Sequence, residues 1–350
     1  MRNEKGGSAS PYPRIPASPR PVSPCLRVSV SPCPRVPVSP RPRVPAPPRP
    51  ALPFNVDSIN VAALMAIRLL ALDLDGTLLN SKGELTSRNR ETIAKVREKD
   101  VKVALVTGRR FPDARPLALE LGIDVPVIAH NGALTKHAET LETVAIVPLP
   151  FGAALEALQI GRQLKADLLV SDERDGRGIM VYDHLSGSNP ALLRYVAWAK
   201  RVHGEEGQNG VLEVGSLEDY LDHDPVHVAF SGACSAMAEL EQILVQQLAD
   251  RVRIFRTAYP RIDFTLLDLV HPQVSKGVGV AAVANELCIE REEVMAIGDN
   301  FNDLEMLRFA GIGVVMGNAD ADLRQVPGLH STLSNDADGV ALAIDEFIFD

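Results

Sequence analysis

After about residue 66, short apolar runs alternate with amphipathic stretches, and this alternation predicts the secondary structure. The runs Ile67–Leu74, Val101–Val106 and Val125–Ala129 are typical of buried strands. Thr86 or Ser87 is placed to cap a helix after the first run. Before the third run, apolar residues recur three or four positions apart and predict a helix with one buried face: Ala114, Leu117, Ala118 and Leu121.

The same alternation returns near the end of the chain. It predicts a helix over about 276–287, a strand at Val294–Gly298, a helix from about Asn302, a strand at Ile312–Val315 and a last helix near Val340–Ile348. Strands that alternate with helices indicate a parallel sheet covered on both faces. Ligands of such sheets bind beyond the carboxyl ends of the strands.

Between Phe151 and Leu269 the pattern changes, since strands and helices no longer alternate regularly. We predict an inserted α+β unit here, with helices near 152–164, 190–202 and 236–249. The predicted strands lie near 167–171, 178–182, 226–230, 252–256 and 262–267.

Residues 1–64 differ in composition from the rest of the chain. The first 56 residues hold nine Lys and Arg but one acid, and 16 of the 26 prolines lie at or before Pro53. So much proline predicts an extended or disordered tail. Three interpretations stay open: a tail that binds a partner or an acidic surface, an organelle-targeting peptide, or a segment that has no function or is not translated, since a natural chain could start at Met65. We favour the last.

Overall composition excludes several classes of protein. The chain has no apolar run of about 18 residues, so we expect no membrane-spanning helix. A formal charge of −9 argues against a nucleic-acid-binding protein. Four cysteines without a C-x-x-C pair exclude a disulfide scaffold and a thiolate zinc site. We expect reduced thiols and a cytoplasmic location.

Two acidic pairs follow predicted strands. Asp73 and Asp75 stand two residues apart directly after the first strand, with Gly76 permitting a turn. Carboxylates this close need a cation or a shared proton, so we expect a bound metal. Asp299 and Asp303 follow the strand at Val294–Gly298, are four residues apart, and are suited to bind one cation such as Mg²⁺.

Two further segments are suited to bind a phosphate group. Thr107 and Gly108 end the second strand with a hydroxyl and backbone N–H groups, although Thr-Gly alone is common in turns. Ser275 is placed to cap a helix that begins with Lys276, where the helix dipole favours an anion. All four segments belong at one rim of the sheet, and together they suit phosphoryl transfer through an aspartyl-phosphate.

DLDGT, VTGR, the lysine of SKG and GDNFND together resemble the four motifs of the haloacid dehalogenase (HAD) superfamily, and most closely its Cof-type branch of sugar-phosphatase-like hydrolases. The resemblance covers about residues 66–350 and implies an α/β fold: a Rossmann-like, doubly wound parallel sheet with an inserted α+β cap. We expect core segments at 65–150 and 270–350, with the cap at 151–269. One departure is His130, where many relatives have glutamate.

The resemblance implies a role for each motif residue. Asp73 is the expected nucleophile and Asp75 the expected acid and base. The expected ligands of Mg²⁺ are Asp73, the carbonyl of Asp75, and Asp299, with Asp303 in support. The expected phosphate-binding groups are Thr107, Lys276 and Asn302, with backbone N–H groups near Leu74 and Gly108.

We therefore expect a Mg²⁺-dependent phosphatase, monomeric or homodimeric, that acts on a small phosphorylated metabolite. A phosphomutase and a phosphometabolite-binding regulator without catalysis are the alternatives. A glycosyltransferase with a D-x-D metal site explains only the first acidic pair. The cap residues that select the substrate are not evident from the sequence.

Overall fold

The computed structural model describes residues 66–176, 178–203 and 210–349. The predicted tail at 1–64 and the proposed start at Met65 lie outside the described residues.

The first part of the core begins with a buried strand and ends with a small antiparallel sheet. Thr86 caps the first helix by accepting a hydrogen bond from the Asn89 backbone N–H, one of the two caps expected. In chain order the elements are β1 (Leu69–Leu72), α1 (Ser87–Glu98), β2 (Lys102–Leu105), α2 (Phe111–Glu120), β3 (Val127–Ala129), β4 (Leu134–Lys136) and β5 (Thr143–Ile146).

The cap follows as a mixed unit of strands and helices. Its elements are α3 (Phe151–Gln163), β6 (Asp167–Asp172), β7 (Ile179–Tyr182), α4 (Pro190–His203), β8 (Val211–Glu213), α5 (Leu217–Tyr220), β9 (His227–Gly232), α6 (Cys234–Leu248), β10 (Arg253–Tyr259) and β11 (Phe264–Val270). The chain then returns to the core with α7 (Lys276–Glu286), β12 (Val294–Gly298), α8 (Leu304–Phe309), β13 (Ile312–Val315), α9 (Ala321–Arg324), β14 (His330–Ser331) and α10 (Gly339–Ile344).

The core sheet has five parallel strands in the order β14-β13-β12-β1-β2. In its register Leu72 lies between Ile297 of β12 and Leu105 of β2. The residues after these three strands therefore meet at one edge of the sheet, which is where the four predicted segments come together.

One predicted core strand pairs differently from the prediction. We expected Val125–Ala129 as a third strand of the parallel sheet. Instead, β3 belongs to an antiparallel sheet of order β3-β4-β5 and joins the core sheet through a single parallel bridge, Val106 to Ile128. The reason is local: a tight turn at 130–132 leads straight into β4, which takes up hydrogen bonds of β3.

The cap sheet has six strands in the order β10-β11-β9-β6-β7-β8. One face packs on α3 and α6 through buried residues such as Leu168, Phe230 and Leu267. The alternating residues point to the other face. Part of that face packs on α4, and Phe255 and Val270 from it join the core cluster. This second face therefore lies toward the core.

Two buried polar clusters join cap and core. Asp113 of α2 accepts hydrogen bonds from Tyr195 Oη at 2.6 Å and His203 Nε2 at 2.8 Å, both from α4, and pairs with Arg110 at 3.0 Å. In the second cluster Lys136 Nζ lies 2.5 Å from a carboxylate oxygen of Glu173, and both side chains are buried. The chain pattern gave no sign of either cluster.

Candidate active site at the strand ends

A buried lysine connects two of the predicted acidic residues. Lys276 Nζ donates to Asp73 Oδ1 at 2.6 Å and to Asp303 Oδ1 at 2.5 Å, and the lysine is 2% exposed. Asp73 directly follows β1, and Lys276 begins α7, capped by Ser275 as expected. Burial lowers the pKa of Lys276, but the charges of Asp303 and Asp73 outweigh it and raise that pKa. The lysine is therefore a permanent cation in this cluster.

Three carboxylates converge beside this lysine. One oxygen each of Asp73, Asp299 and Asp303 lies within 4.8 Å of the others. Burial raises the pKa of Asp73 well above its ordinary range, with the charge of Lys276 opposing it. Burial and the charge of Asp303 raise the pKa of Asp299 to about 7. A group of hard oxygen donors whose charges repel one another fits a divalent cation such as Mg²⁺.

The two acids of the GDNFND segment differ in how they are held. Asp303 is fully buried, and its Oδ2 accepts the backbone N–H groups of Asp299 and Asn300, each at 2.9 Å. Since Lys276 takes its Oδ1, both oxygens of Asp303 already have partners. Asp303 therefore shapes the loop and orients the lysine, whereas each oxygen of Asp299 accepts one longer hydrogen bond, Oδ1 from Thr77 Oγ1 at 3.3 Å and Oδ2 from Asn318 Nδ2 at 3.4 Å.

The turn after β1 packs directly against Asp299. A Cβ atom at position 76 would lie 2.1 Å from Asp299 Oδ2, and Gly76 has a φ of +85°. The close approach and the backbone conformation each require glycine at this position. Thr77 Oγ1 donates to Asp299 Oδ1 at 3.3 Å. Asn318 Nδ2 donates to the Gly76 carbonyl at 2.8 Å. These contacts fix the metal-ligand candidate Asp299 relative to the loop of Asp73.

Asp75, the predicted acid and base, lies apart from the buried cluster. Arg109 binds its carboxylate with two hydrogen bonds, Nε to Oδ2 at 2.7 Å and Nη2 to Oδ1 at 2.5 Å. The Asp75 side chain is 53% exposed, so it stands at the mouth of the site. The carboxylate of Asp75 is not among the three that converge.

The predicted phosphate-binding residues surround the same edge of the sheet. The Thr107 hydroxyl accepts the Arg109 backbone N–H at 3.1 Å, and Thr107 is buried. Asn302 Nδ2 donates to Asn131 Oδ1 at 2.9 Å, while Asn302 Oδ1 is buried without a hydrogen-bond partner among the described residues. A Cβ at Gly108 would lie 3.2 Å from the Asn131 amide, so Gly108 lets Asn131 approach.

Leu74 and the residues around it complete this edge. Leu74 is fully buried and its carbonyl accepts the Leu79 N–H at 2.9 Å, which closes the turn after Asp73. The structure also adds four polar residues that we did not select from the sequence: Thr77, Arg109, Asn131 and Asn318. Thr77 lies within DLDGT and Arg109 within VTGR, so position inside these motifs was the available signal for those two residues.

A family model of haloacid dehalogenase-like hydrolases matches residues 70–344. The chain belongs to this family.

The expected resemblance is thus confirmed. Relatives of this haloacid dehalogenase-like hydrolase include the phosphatase YwpJ of Bacillus subtilis, 28% identical over 79% of this chain and 98% of that protein. Another is the pyridoxal phosphate phosphatase YbhA of Escherichia coli, 28% identical over 73% of this chain and 90% of that protein.

A solved haloacid dehalogenase-like hydrolase from Bacteroides thetaiotaomicron is 29% identical. It covers 80% of this chain and 99% of its own, with a TM-score of 0.67. The predicted fold class, a Rossmann-like α/β core with an inserted cap, is confirmed. Within the described residues no helix combines the length and apolar character needed to span a bilayer.

Proposed function

We propose that this hydrolase is a phosphatase that releases inorganic phosphate from small phosphate monoesters through an aspartyl-phosphate on Asp73. The observation that carries the proposal is the buried Asp73–Lys276–Asp303 chain next to Asp299 at the edge of the sheet. It joins a nucleophile candidate, a fixed cation and a metal-ligand candidate. The relatives named as phosphatases support the same reaction class.

In the first step Oδ2 of Asp73 attacks phosphorus while Lys276 holds Oδ1. The bond from phosphorus to the alcohol oxygen breaks, and Asp75 gives its proton to that oxygen. Arg109 orients Asp75 for this transfer through its two hydrogen bonds. The product alcohol leaves, and the phosphoryl group is esterified to Asp73.

In the second step Asp75 takes a proton from a water molecule, whose oxygen attacks phosphorus. The bond from phosphorus to Asp73 breaks, phosphate is released, and Asp75 is ready for the next turnover. One group performs both transfers because it loses its proton in the first step and regains it in the second.

Asp73, Asp299 and the Asp75 carbonyl would hold Mg²⁺, with Asp303 in support. When bound, the cation offsets the repulsion between the carboxylate nucleophile and the anionic phosphate. Thr107, Lys276 and Asn302, with N–H groups at Leu74 and Gly108, bind the phosphoryl oxygens. Preorganised donors of this kind contribute on the order of 3 kcal/mol each to transition-state stabilisation. A cytoplasmic location, a monomer or homodimer, and a cap at 151–269 stay predictions.

Phosphate release from a panel of monoesters tests the proposal, with and without Mg²⁺. Asp73→Asn should abolish turnover and keep the fold, because the amide is a poor nucleophile of the same size. Asp100→Asn is the matched control, since Asp100 has a side chain 96% exposed and a φ of +62° that Asn tolerates. Wild-type protein quenched during turnover with labelled substrate should carry label on residue 73.

Three results contradict the proposal: activity in Asp73→Asn, activity unaffected by chelators, or label that never appears on residue 73. Transfer of phosphate between two positions of the substrate without release would instead identify the phosphomutase alternative.

A further inference from the structure

Two histidines meet where the cap lies on the core. His130 follows β3 in the core, and His227 begins β9 in the cap. Their Nδ1 atoms are 2.9 Å apart, and the residues are 4% and 7% exposed. A hydrogen bond between two nitrogens needs one donor and one acceptor, so the two rings have different tautomers if both are neutral.

Asp268 of β11 favours one of the two arrangements. Its Oδ1 lies 3.5 Å from Nε2 of His227, and Asp268 is itself buried at 7% exposure. A carboxylate accepts hydrogen bonds and does not donate them, so Asp268 favours a proton on Nε2 of His227, which leaves Nδ1 of His227 as the acceptor. In that arrangement His130 donates through Nδ1 and keeps a lone pair on Nε2.

The His130 ring is neutral, so this lone pair is available to accept a hydrogen bond. Burial lowers its pKa well below the ordinary range, and the nearby His227 and Arg110 lower it further. Among the described residues Nε2 of His130 has no hydrogen-bond partner. A ligand that supplies a hydrogen-bond donor would therefore pair with this acceptor.

The backbone places His130 beside the predicted phosphate site. His130 has a φ of +50° and Asn131 a φ of +56°, two consecutive residues in a sparsely populated region. The His130 N–H donates to the Arg109 carbonyl at 3.0 Å, and the Asn131 N–H donates to the Thr107 carbonyl at 2.9 Å. The strained turn is therefore held by the loop that also positions Asp75.

Asp268 lies on the cap face that is turned toward the core. It is directly opposite Phe255 in the pairing of β10 with β11, and Phe255 packs in the core cluster.

We propose that His130 selects substrates whose alcohol part carries a hydroxyl group, which donates to Nε2 of His130, and that His227 and Asp268 position this acceptor by fixing the tautomers. The inference rests on the proposed phosphatase function, because the alcohol part of the ester is the part that lies between the phosphate site and the cap. Asp268 and His227 act through His130 and are positioning residues.

Pairs of esters with the same carbon chain test the selection. We compare kcat/KM for glycerol 1-phosphate with propyl phosphate, and for sorbitol 6-phosphate with hexyl phosphate. Wild type should prefer the hydroxylated ester, and His130→Asn should reduce that preference about tenfold or more. Asn tolerates the left-handed backbone but lacks Nε2. His184→Gln, on an exposed cap loop, is the control whose preference should equal that of wild type.

The outcomes separate the two proposals. If His130→Asn lowers kcat/KM equally for both esters of a pair, or for neither, the proposed selection by His130 is wrong while the phosphatase function stands. If wild type releases phosphate from no ester, the proposed function fails and this inference fails with it.

The positioning role has its own readout. Ring ¹⁵N shifts should show a proton on Nδ1 of His130 and on Nε2 of His227, and Asp268→Asn should change these populations and reduce the hydroxyl preference. Unchanged tautomers in Asp268→Asn would overturn the role of Asp268.

Discussion

Replacing Lys276 with methionine removes the cation that lies between two buried carboxylates. Lys276 Nζ is 2.6 Å from Asp73 Oδ1 and 2.5 Å from Asp303 Oδ1, at 2% exposure. Breaking a buried ion pair by deleting one partner costs about 3–5 kcal/mol. Because Asp299 also lies within 4.8 Å of this group, three carboxylates would be left facing one another. We expect the free energy of unfolding to fall by about 4–5 kcal/mol, toward the upper end of that range.

Urea denaturation in the presence of a chelator, at about pH 7.5, measures this loss. Lys95→Met is the matched control, because Lys95 is exposed on α1, and such a change should stay within about 0.5 kcal/mol of wild type. The deficit of Lys276→Met should shrink at about pH 5, where protonation of the crowded carboxyls reduces their repulsion.

The Lys276→Met variant should also lose activity, for a reason separate from its loss of stability. Loss of a donor to the phosphoryl oxygens predicts a decrease in kcat of about 100-fold or more in protein that is still folded. A Lys276→Met protein that is as stable as Lys95→Met, or one with wild-type kcat, would refute the arrangement described for Lys276.

Three further predictions concern other parts of the molecule. With chelator present, the stability of wild type should decrease by up to about 4 kcal/mol between about pH 4 and about pH 7. The reason is that the pKa of Asp299 is raised to about 7 in the folded protein, which therefore holds a proton that the unfolded chain has released. In pH-dependent urea denaturation, Asp299→Asn should lack this part of the decrease, and added Mg²⁺ should remove it in wild type. Asp113→Asn should lose about 3–5 kcal/mol at neutral pH. Burial raises the Asp113 pKa, but a hydrogen bond from His203 and other partners hold it well below its ordinary range. The difference from wild type should therefore begin to shrink below about pH 4 and disappear only when the pH falls through the lowered pKa of the folded protein; a constant difference would count against this pairing. Arg109→Lys should lower kcat/KM about tenfold, because lysine cannot bind Asp75 with two parallel hydrogen bonds. An unchanged rate and an unchanged pH–rate profile would contradict the orienting role of Arg109.

The strand pattern and the four motif segments were accessible from sequence because their causes are local. Buried strands of a parallel sheet are continuous apolar runs, and β1, β2, β12 and β13 all lie within predicted runs. The pairing of β3 was not accessible, because it depends on the tight turn at 130–132 and on the competing partner β4.

Sequence alone determined which residues would reach one edge of the sheet, since every parallel strand delivers its carboxyl end to the same side. It therefore brought Asp73, Thr107 and Asp299 together without any knowledge of contacts. Tertiary structure decided the contacts themselves: Lys276 buried between two acids 203 and 27 residues away, and His130 against a histidine 97 residues away. Such contacts depend on side-chain direction and on how the cap is seated, and neither leaves a periodic signal in the chain.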